Sequence, residues 1–229
     1  MEIGMMLHLI IADSEVELVP EEIAHHRVIL WQARKRGMKP TDILLNSSIH
    51  YPAMRSLSDW ERRGRPDIAH MCLLIALDSP LNSEGHLKVY LHTRENYVIS
   101  VDSSANLPRV LHRFEGLLEQ LFKKKAVPPE KPLLTLQKST LEDLCRKISP
   151  KKIIALSEDG EKRALSQLFS GLALGDDVCI IIGGFPHGNF LSDLSFTDEI
   201  VSIYPKALMA STVVAEVISA YERNFGVVS

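Results

Sequence analysis

The chain has 229 residues, 45% of them hydrophobic and 24% charged, with a formal net charge of −3 and a pI near 6.3. That balance suits one large domain with a real core and excludes a chain kept disordered by its own charge. No run of eighteen apolar residues occurs, which argues against membrane insertion, and the acidic total requires any nucleic-acid surface to be gathered on one face.

Residues 1–18 place no basic flank before their short apolar run and meet acids straight after it. They read as the approach to a first strand at residues 7–12, not as a signal peptide, so a cytoplasmic location is expected. Cys72, Cys145 and Cys179 are odd in number and far apart, no C-x-x-C pair occurs, and the histidines lack ligand spacing. Reduced, buried thiols and no metal site are expected. Pro20, Glu21 and Glu22 supply the proline and acids of a helix start, and the pattern carries that helix to Arg36 and Gly37. Residues 41–45 are expected to form a strand that leads into a polar turn.

Residues 62–82, RRGRPDIAHMCLLIALDSPLN, organise the rest. Pro66 suits the first helical turn, Asp67 complements the dipole there, and residues 68–77 are apolar almost all round, broken only by His70. The expected helix is buried and stops before Pro80. Arg65, Asp67 and His70 then stand at its mouth, where Arg65 and Asp67 form a local ion pair and His70 is buried and structural.

Residues 87–92 and 97–101 read as strands joined by a hairpin turn. A helix is expected from about residue 106 to 125, with Arg109 and Arg113 four apart on one face. Residues 126–132, with three prolines, look like a linker. A strand at 133–136, a helix at 141–148 and a strand at 152–156 give a βαβ rhythm and imply parallel pairing. Residues 178–182 run into the loop Gly183-Gly184-Phe185-Pro186-His187-Gly188, residues 200–204 form a last strand, and a helix is expected over 206–225. The apolar surface of that helix is wide enough for burial on two sides, as in a core that is also a subunit interface. Ligands of open α/β sheets bind at the carboxyl ends of strands, so residues 156–160, 183–188 and 202–205 mark a candidate pocket. GGFPHG has neither the dinucleotide nor the P-loop spacing. Its glycines let backbone groups approach a ligand closely.

The segment from Asn46 to Tyr51, the stretch RPDIAH…LDSPLN, the run Pro108-Arg109…Arg113-Phe114, the loop GGFPHG and the turn SIYP follow one another along the chain. Together they resemble an archaeal-type ribosome-biogenesis methyltransferase family of the SPOUT (α/β-knot) class, over residues 45–226. The resemblance implies a mostly parallel sheet flanked by helices, a C-terminal trefoil knot and a family-specific β-rich extension at about 83–108, all within one domain of residues 1–229. It implies methylation of N1 of a pseudouridine in small-subunit ribosomal RNA with S-adenosylmethionine, by a homodimer that also meets other assembly factors or ribosomal proteins. By the same resemblance Asp67 and Arg65 are catalytic, and Leu156, Gly183, Gly184, Gly188, Ile203, Tyr204 and Leu208 hold the cofactor. Arg63, Arg65, Arg109 and Arg113 would contact RNA. The ion pair with Arg65 favours the charged form of Asp67, so orienting the base suits it better than taking a proton. Two departures stand out: Asn106 occupies the place of a third arginine, and one residue is missing between Ser202 and Tyr204. The runner-up function is a non-catalytic RNA-binding assembly factor. A methyltransferase acting on transfer RNA is a third reading, against which the RPDI-x-H motif speaks.

Overall fold

Side-chain alternation decides where the first strand sits. In the computed structural model, which describes residues 6–173 and 175–227, β1 (Leu7–Ser14) sends Leu7, Leu9 and Ile11 to one apolar cluster and Ile10 and Ala12 to another. Buried on both faces, it occupies the middle of a sheet. Residues 1–5, read above with the first strand, lie outside the described residues.

After β1 come α1 (Arg27–Arg36), α2 (Ser47–Met54), α3 (Pro66–Leu77) and the short α4 (Pro80–Ser83). The hairpin β2 (Leu87–Thr93) and β3 (Tyr97–Val101) is followed by α5 (Leu111–Lys124), β4 (Ala126–Val127), β5 (Leu134–Lys138) and α6 (Leu141–Ile148). Last are β6 (Lys152–Lys162), β7 (Val178–Gly183), β8 (Glu199–Ser202) and α7 (Ala210–Phe225). The strands form one eight-stranded sheet in the order β4-β5-β3-β2-β1-β7-β6-β8. Only β3 and β4 run against the other six, so the sheet is mostly parallel. Helices α3, α5 and α7 cover the face that holds Leu9, Ile11, Val89, Ile180 and Val201, while α6 covers the face of Ile10, Ala155, Cys179 and Ile181. Residues 83–108 contribute β2 and β3 to this same sheet, and residues 126–132 include β4, which pairs with β5.

The central helix follows the sequence closely. Pro66 opens α3, Asp67 lies in its first turn, and the helix ends at Asp78 before Ser79 caps α4. Its face is less uniform than expected, because Met71 is exposed while Ala69, Cys72, Leu73 and Ala76 are buried. Four other expectations are corrected. The helix from Pro20 is two pieces: Glu21–Ile23 forms one 3₁₀ turn, and His26 leaves helical geometry to accept the Val28 N–H and start α1. The strand expected at 41–45 is a single bridge, Leu18 to Leu44, followed by a helix, α2. Asn46 caps that helix by accepting the Ser48 N–H at 2.8 Å, which is why the following residues coil. Helix α5 begins at Leu111, beyond Pro108, so Arg109 precedes it and shares no helical face with Arg113. Helix α7 begins at Ala210, since Pro205 and the turn that Ser202 Oγ closes on Tyr204 O (3.0 Å) hold the chain irregular until Met209.

Between β1 and α3, residues 16–62 form a helical insert with its own small core of Val19, Ile23, Ile29, Ile43, Leu45 and Met54. The three cysteines are free and buried, and burial pushes the Cys72 thiol up to about 12. Among the described residues no helix is long and apolar enough to cross a membrane, and no group of His, Cys, Asp and Glu is placed to hold a metal.

Candidate functional site

At the carboxyl ends of β6, β7 and β8 a cleft of about 220 Å³ opens. Strand β6 slips register against β8 between Leu156 and Glu161, and the slack brings Ser157 and Glu158 to the rim. Leu156, Gly183, Gly188, Ile203, Tyr204 and Leu208, six of the seven expected cofactor residues, line the cleft. Gly184 does not. A Cβ there would lie 2.4 Å from Ser14 Oγ and 2.9 Å from Ile11 Cγ2, so its bare backbone is needed for packing onto β1. The neighbouring Gly183 lines the cleft, and its missing Cβ leaves room for the Phe185 ring to fold back.

The lining combines apolar Leu156, Ile182, Val201 and Phe190 with polar Ser157, Glu158 and Ser202. That mixture fits an adenosyl group: a flat base between apolar walls, backbone groups at its edge, and a carboxylate near a cationic end. The residues present therefore fit the expected cofactor.

Two buried side chains that the sequence reading left out hold the cleft's loop in place. Asp13, at the end of β1, is 1% exposed and takes the left-handed conformation with φ 50°. Its carboxylate accepts from Leu191 N (2.7 Å), Ser192 N (3.0 Å) and Ser192 Oγ (2.7 Å), with the His92 ring 3.5 Å away. Burial alone would raise its pKa. The His92 ring and the donors of Ser192 outweigh that and hold the carboxyl below the usual range. Arg62 donates from Nε to Glu15 Oε1 at 2.5 Å and from Nη1 to Asn189 O at 3.0 Å, and its guanidinium covers the Phe185 ring at 4.3 Å. Arg94 pairs with the other oxygen of Glu15 at 2.8 Å. In the sequence Asp13 and Glu15 are signalled only as a pair of acids straight after an apolar strand, and Arg62 only as the first of the arginines at 62–65.

The Arg65–Asp67 corner adjoins this loop through two backbone hydrogen bonds. Glu15 N donates to Gly184 O at 3.4 Å, and Arg65 N donates to Glu15 O at 2.9 Å. Arg65 grips Asp67 with both arms of its guanidinium, at 2.9 and 2.7 Å, and that bond raises the Arg65 pKa further. Both side chains stay partly open to solvent. One turn along α3, His70 binds Pro108 O at 2.7 Å and stacks on Phe114, which fixes the approach to Arg109. Arg109 and Arg113 are exposed, and Arg109 lies 3.9 Å from Asp78 at the far end of α3. Asn106 is exposed as well. Arg63 is placed otherwise: 8% exposed, it lies inside the protein and binds Glu17 with both arms at 2.9 and 2.6 Å. A guanidinium held that way is not offered to a phosphate, so the RNA contact expected of Arg63 is corrected to a buried ion pair.

The arrangement is a cleft for a nucleoside-like group beside an exposed acid and a spread of arginines. Comparison with known proteins agrees with it. The family model described as EMG1/NEP1 methyltransferase matches residues 9–222. A Pyrococcus furiosus protein named ribosomal RNA small subunit methyltransferase Nep1 is 50% identical over 94% of this chain and 96% of its own length. Its Thermococcus sibiricus namesake is 48% identical over 96% and 99%. The crystal structure of Archaeoglobus fulgidus Nep1 bound to S-adenosylhomocysteine superposes with a TM-score of 0.84 at 34% identity, covering 97% of this chain and 99% of that one. Matched over residues 9–222 by the family model and over nearly its whole length by these relatives and this structure, the chain belongs to the EMG1/NEP1 methyltransferase family.

Proposed function

We propose that the chain transfers the methyl group of S-adenosylmethionine to N1 of a pseudouridine in small-subunit ribosomal RNA. The reaction class, methylation of small-subunit ribosomal RNA, is the one for which its relatives are named. The finer assignment rests on one observation: the cleft and the Arg65–Asp67 corner are joined through Gly184 and Glu15. A base turned out of its helix into that corner meets a carboxylate on one side and the cofactor cleft on the other.

The cofactor supplies an electrophilic methyl group, and no metal is needed. Methyl transfer is an in-line displacement, so the chain's own residues contribute chiefly by position. Asp67 stands on the first turn of α3, and Arg65 holds it in one orientation as a charged acceptor. As an acceptor it fixes an N–H of the target base and so orients it, and the N1 proton is lost to solvent after attack. Arg109 and Arg113, with the exposed part of Arg65, bind phosphates around the loop. Leu156, Gly183, Gly188, Ile203, Tyr204 and Leu208 hold the cofactor.

The chain acts as a homodimer in the cytoplasm on this reading, as a single domain whose C-terminal strands carry the family's knot. Exposed apolar side chains support the dimer: Tyr204, Leu208 and Met209 stand beside the cleft. A second copy packed over these residues would close the cleft, which is about 220 Å³ in one chain. Contacts with other assembly factors or ribosomal proteins belong to the same proposal.

The test is transfer of labelled methyl from S-adenosylmethionine to two ribosomal hairpins that differ only in uridine or pseudouridine. Labelling of the pseudouridine hairpin alone is expected. Labelling of neither, with both still bound, would overturn the reaction and favour the assembly-factor role.

A further inference from the structure

The helical insert carries a concentration of charge that the site above does not use. Between residues 25 and 55 there are six lysines and arginines against one acid, Asp42, in a chain whose total is −3. Arg36 is bound to Glu119 on α5. Arg27, Arg34, Lys35, Lys39 and Arg55 are exposed, and none meets a carboxylate among the described residues. Two aromatic side chains stand among them with unusual openness: Trp31 is 61% and Tyr51 45% exposed. Each is backed by a cation, Lys35 Nζ at 5.1 Å from the Trp31 ring and the Arg55 guanidinium at 5.1 Å from the Tyr51 ring. Trp31 and Tyr51 follow or precede, by one residue, the pair Gln32 and His50 through which α1 and α2 touch.

This surface continues into the Arg65 corner. Tyr51 packs edge-on against Trp60 at 5.3 Å, at the start of the loop that carries Arg62 to Arg65, and Ser47 N donates to Gly64 O at 2.8 Å. Open aromatic faces among unpaired cations match one kind of partner closely. Unpaired bases stack on such rings whatever their sequence, while lysine and arginine follow the phosphates. Bases inside a duplex are hidden, so the fit is to single-stranded RNA.

We propose that the α1–α2 face is a second RNA-contact surface, which takes single-stranded nucleotides flanking the modified hairpin by stacking them on Trp31 and Tyr51. The inference rests on the reading that the substrate is RNA.

The experiment compares a bare target hairpin with the same hairpin carrying six-nucleotide single-stranded arms, by dissociation constant and by KM. Wild type is expected to bind the armed RNA more tightly, by about tenfold for each stacked base. In the double variant Trp31→Ala, Tyr51→Ala the ratio of bare to armed constants falls towards one, and in Trp31→Phe, Tyr51→Phe it is restored. Lys35→Ala with Arg55→Ala lowers the salt dependence for the armed RNA more than for the bare one. Equal binding of both RNAs by wild type, or a ratio unchanged in the alanine variant, would overturn the proposal. Absence of methyl transfer from wild type would count against the proposed reaction alone, because the binding ratio reads this surface without catalysis.

Discussion

Three arginines fall within four residues of each other, and the structure sends them to two different regions. Arg62 and Arg63 turn inward to Glu15 and Glu17 behind the loop of the cleft, while Arg65 is partly open to solvent and Arg109 and Arg113 are exposed. The residue type is the same and the chemistry is opposite. Inside, a charge is fixed by a carboxylate and serves architecture. Outside, it is available to a ligand. What separates them is the spacing of the partners, since Glu15 and Glu17 leave β1 as two buried acids that each require a cation.

The sharpest way to break the inner region is to strand one of its charges. Glu17→Ala leaves Arg63 buried without its carboxylate and should lower unfolding stability by about 3–5 kcal/mol. The outer counterpart, Arg113→Ala, should change stability by less than about 0.5 kcal/mol. Denaturant unfolding of both variants measures the contrast, and equal losses would erase the distinction drawn here.

A second buried group ties the helical insert to pH. His50 receives the Asn46 N–H on Nδ1 at 3.0 Å and donates from Nε2 to Gln32, an arrangement open only to the neutral ring. Burial, with help from Arg36, lowers its pKa to about 4. The unfolded chain takes up the proton near pH 6.5 and the folded one only near 4, so stability is lost as pH falls through that window. The loss is on the order of 3 kcal/mol. Unfolding measured from pH 7 to pH 4 should show it, and the same slope in His50→Gln would assign it to other groups.

Much of the fold could be read locally, and these two regions show where that stops. Proline at the first turn and the Asp78-Ser79-Pro80 stop placed α3, and α6 fell at Leu141–Ile148 because Thr140 caps it and its apolar residues keep helical spacing. The hairpin of β2 and β3 was equally plain. The insert was misread because Asn46 was taken for the end of a strand, although the i, i+4 spacing of Asn46 and His50 belongs to a helix start. Arg63 could not be assigned from spacing, because its direction depends on Glu17, 46 residues away. Asp13 and its partners Leu191 and Ser192 lie still farther apart, at separations of 178 and 179. The strand ends that frame the cleft were legible from the order of strands, whereas the single residues expected there came from the resemblance, and spacing alone does not tell that Gly184 packs on β1 and does not line the cleft.

Chemistry should fail first at the corner. Asp67→Asn removes the charge that Arg65 fixes and is expected to lower kcat by about 100-fold, with affinity for S-adenosylhomocysteine retained. Single-turnover methyl transfer and calorimetric binding separate the two. A smaller effect is expected behind the cleft. Asp13→Asn weakens the anchoring of Leu191 and Ser192, so KM for the cofactor should rise about tenfold while kcat changes less. A fall in kcat with unchanged KM would mean that the loop orients the reaction and not the cofactor.

The smallest effect is the one that best isolates the outer region. Each phosphate neutralised by an arginine releases counterions, so the logarithm of RNA affinity falls linearly with the logarithm of salt concentration, by about 0.7 per contact on single strands. Arg113→Ala and Arg109→Ala should each reduce that slope by roughly this amount and weaken binding most at low salt. Arg63→Met should leave the slope as it is, however much it costs in stability, because its guanidinium faces Glu17 and no phosphate reaches it. Arg65 stands between the two cases: two of its five N–H donors already serve Asp67, and a charge paired in this way releases fewer counterions than a free one. A slope change for Arg65→Ala smaller than that for Arg113→Ala would therefore assign Arg65 to holding Asp67 more than to gripping RNA. A change as large as that for Arg113 would show that phosphate binding opens the ion pair, and Asp67 would then be freed at the moment the substrate arrives.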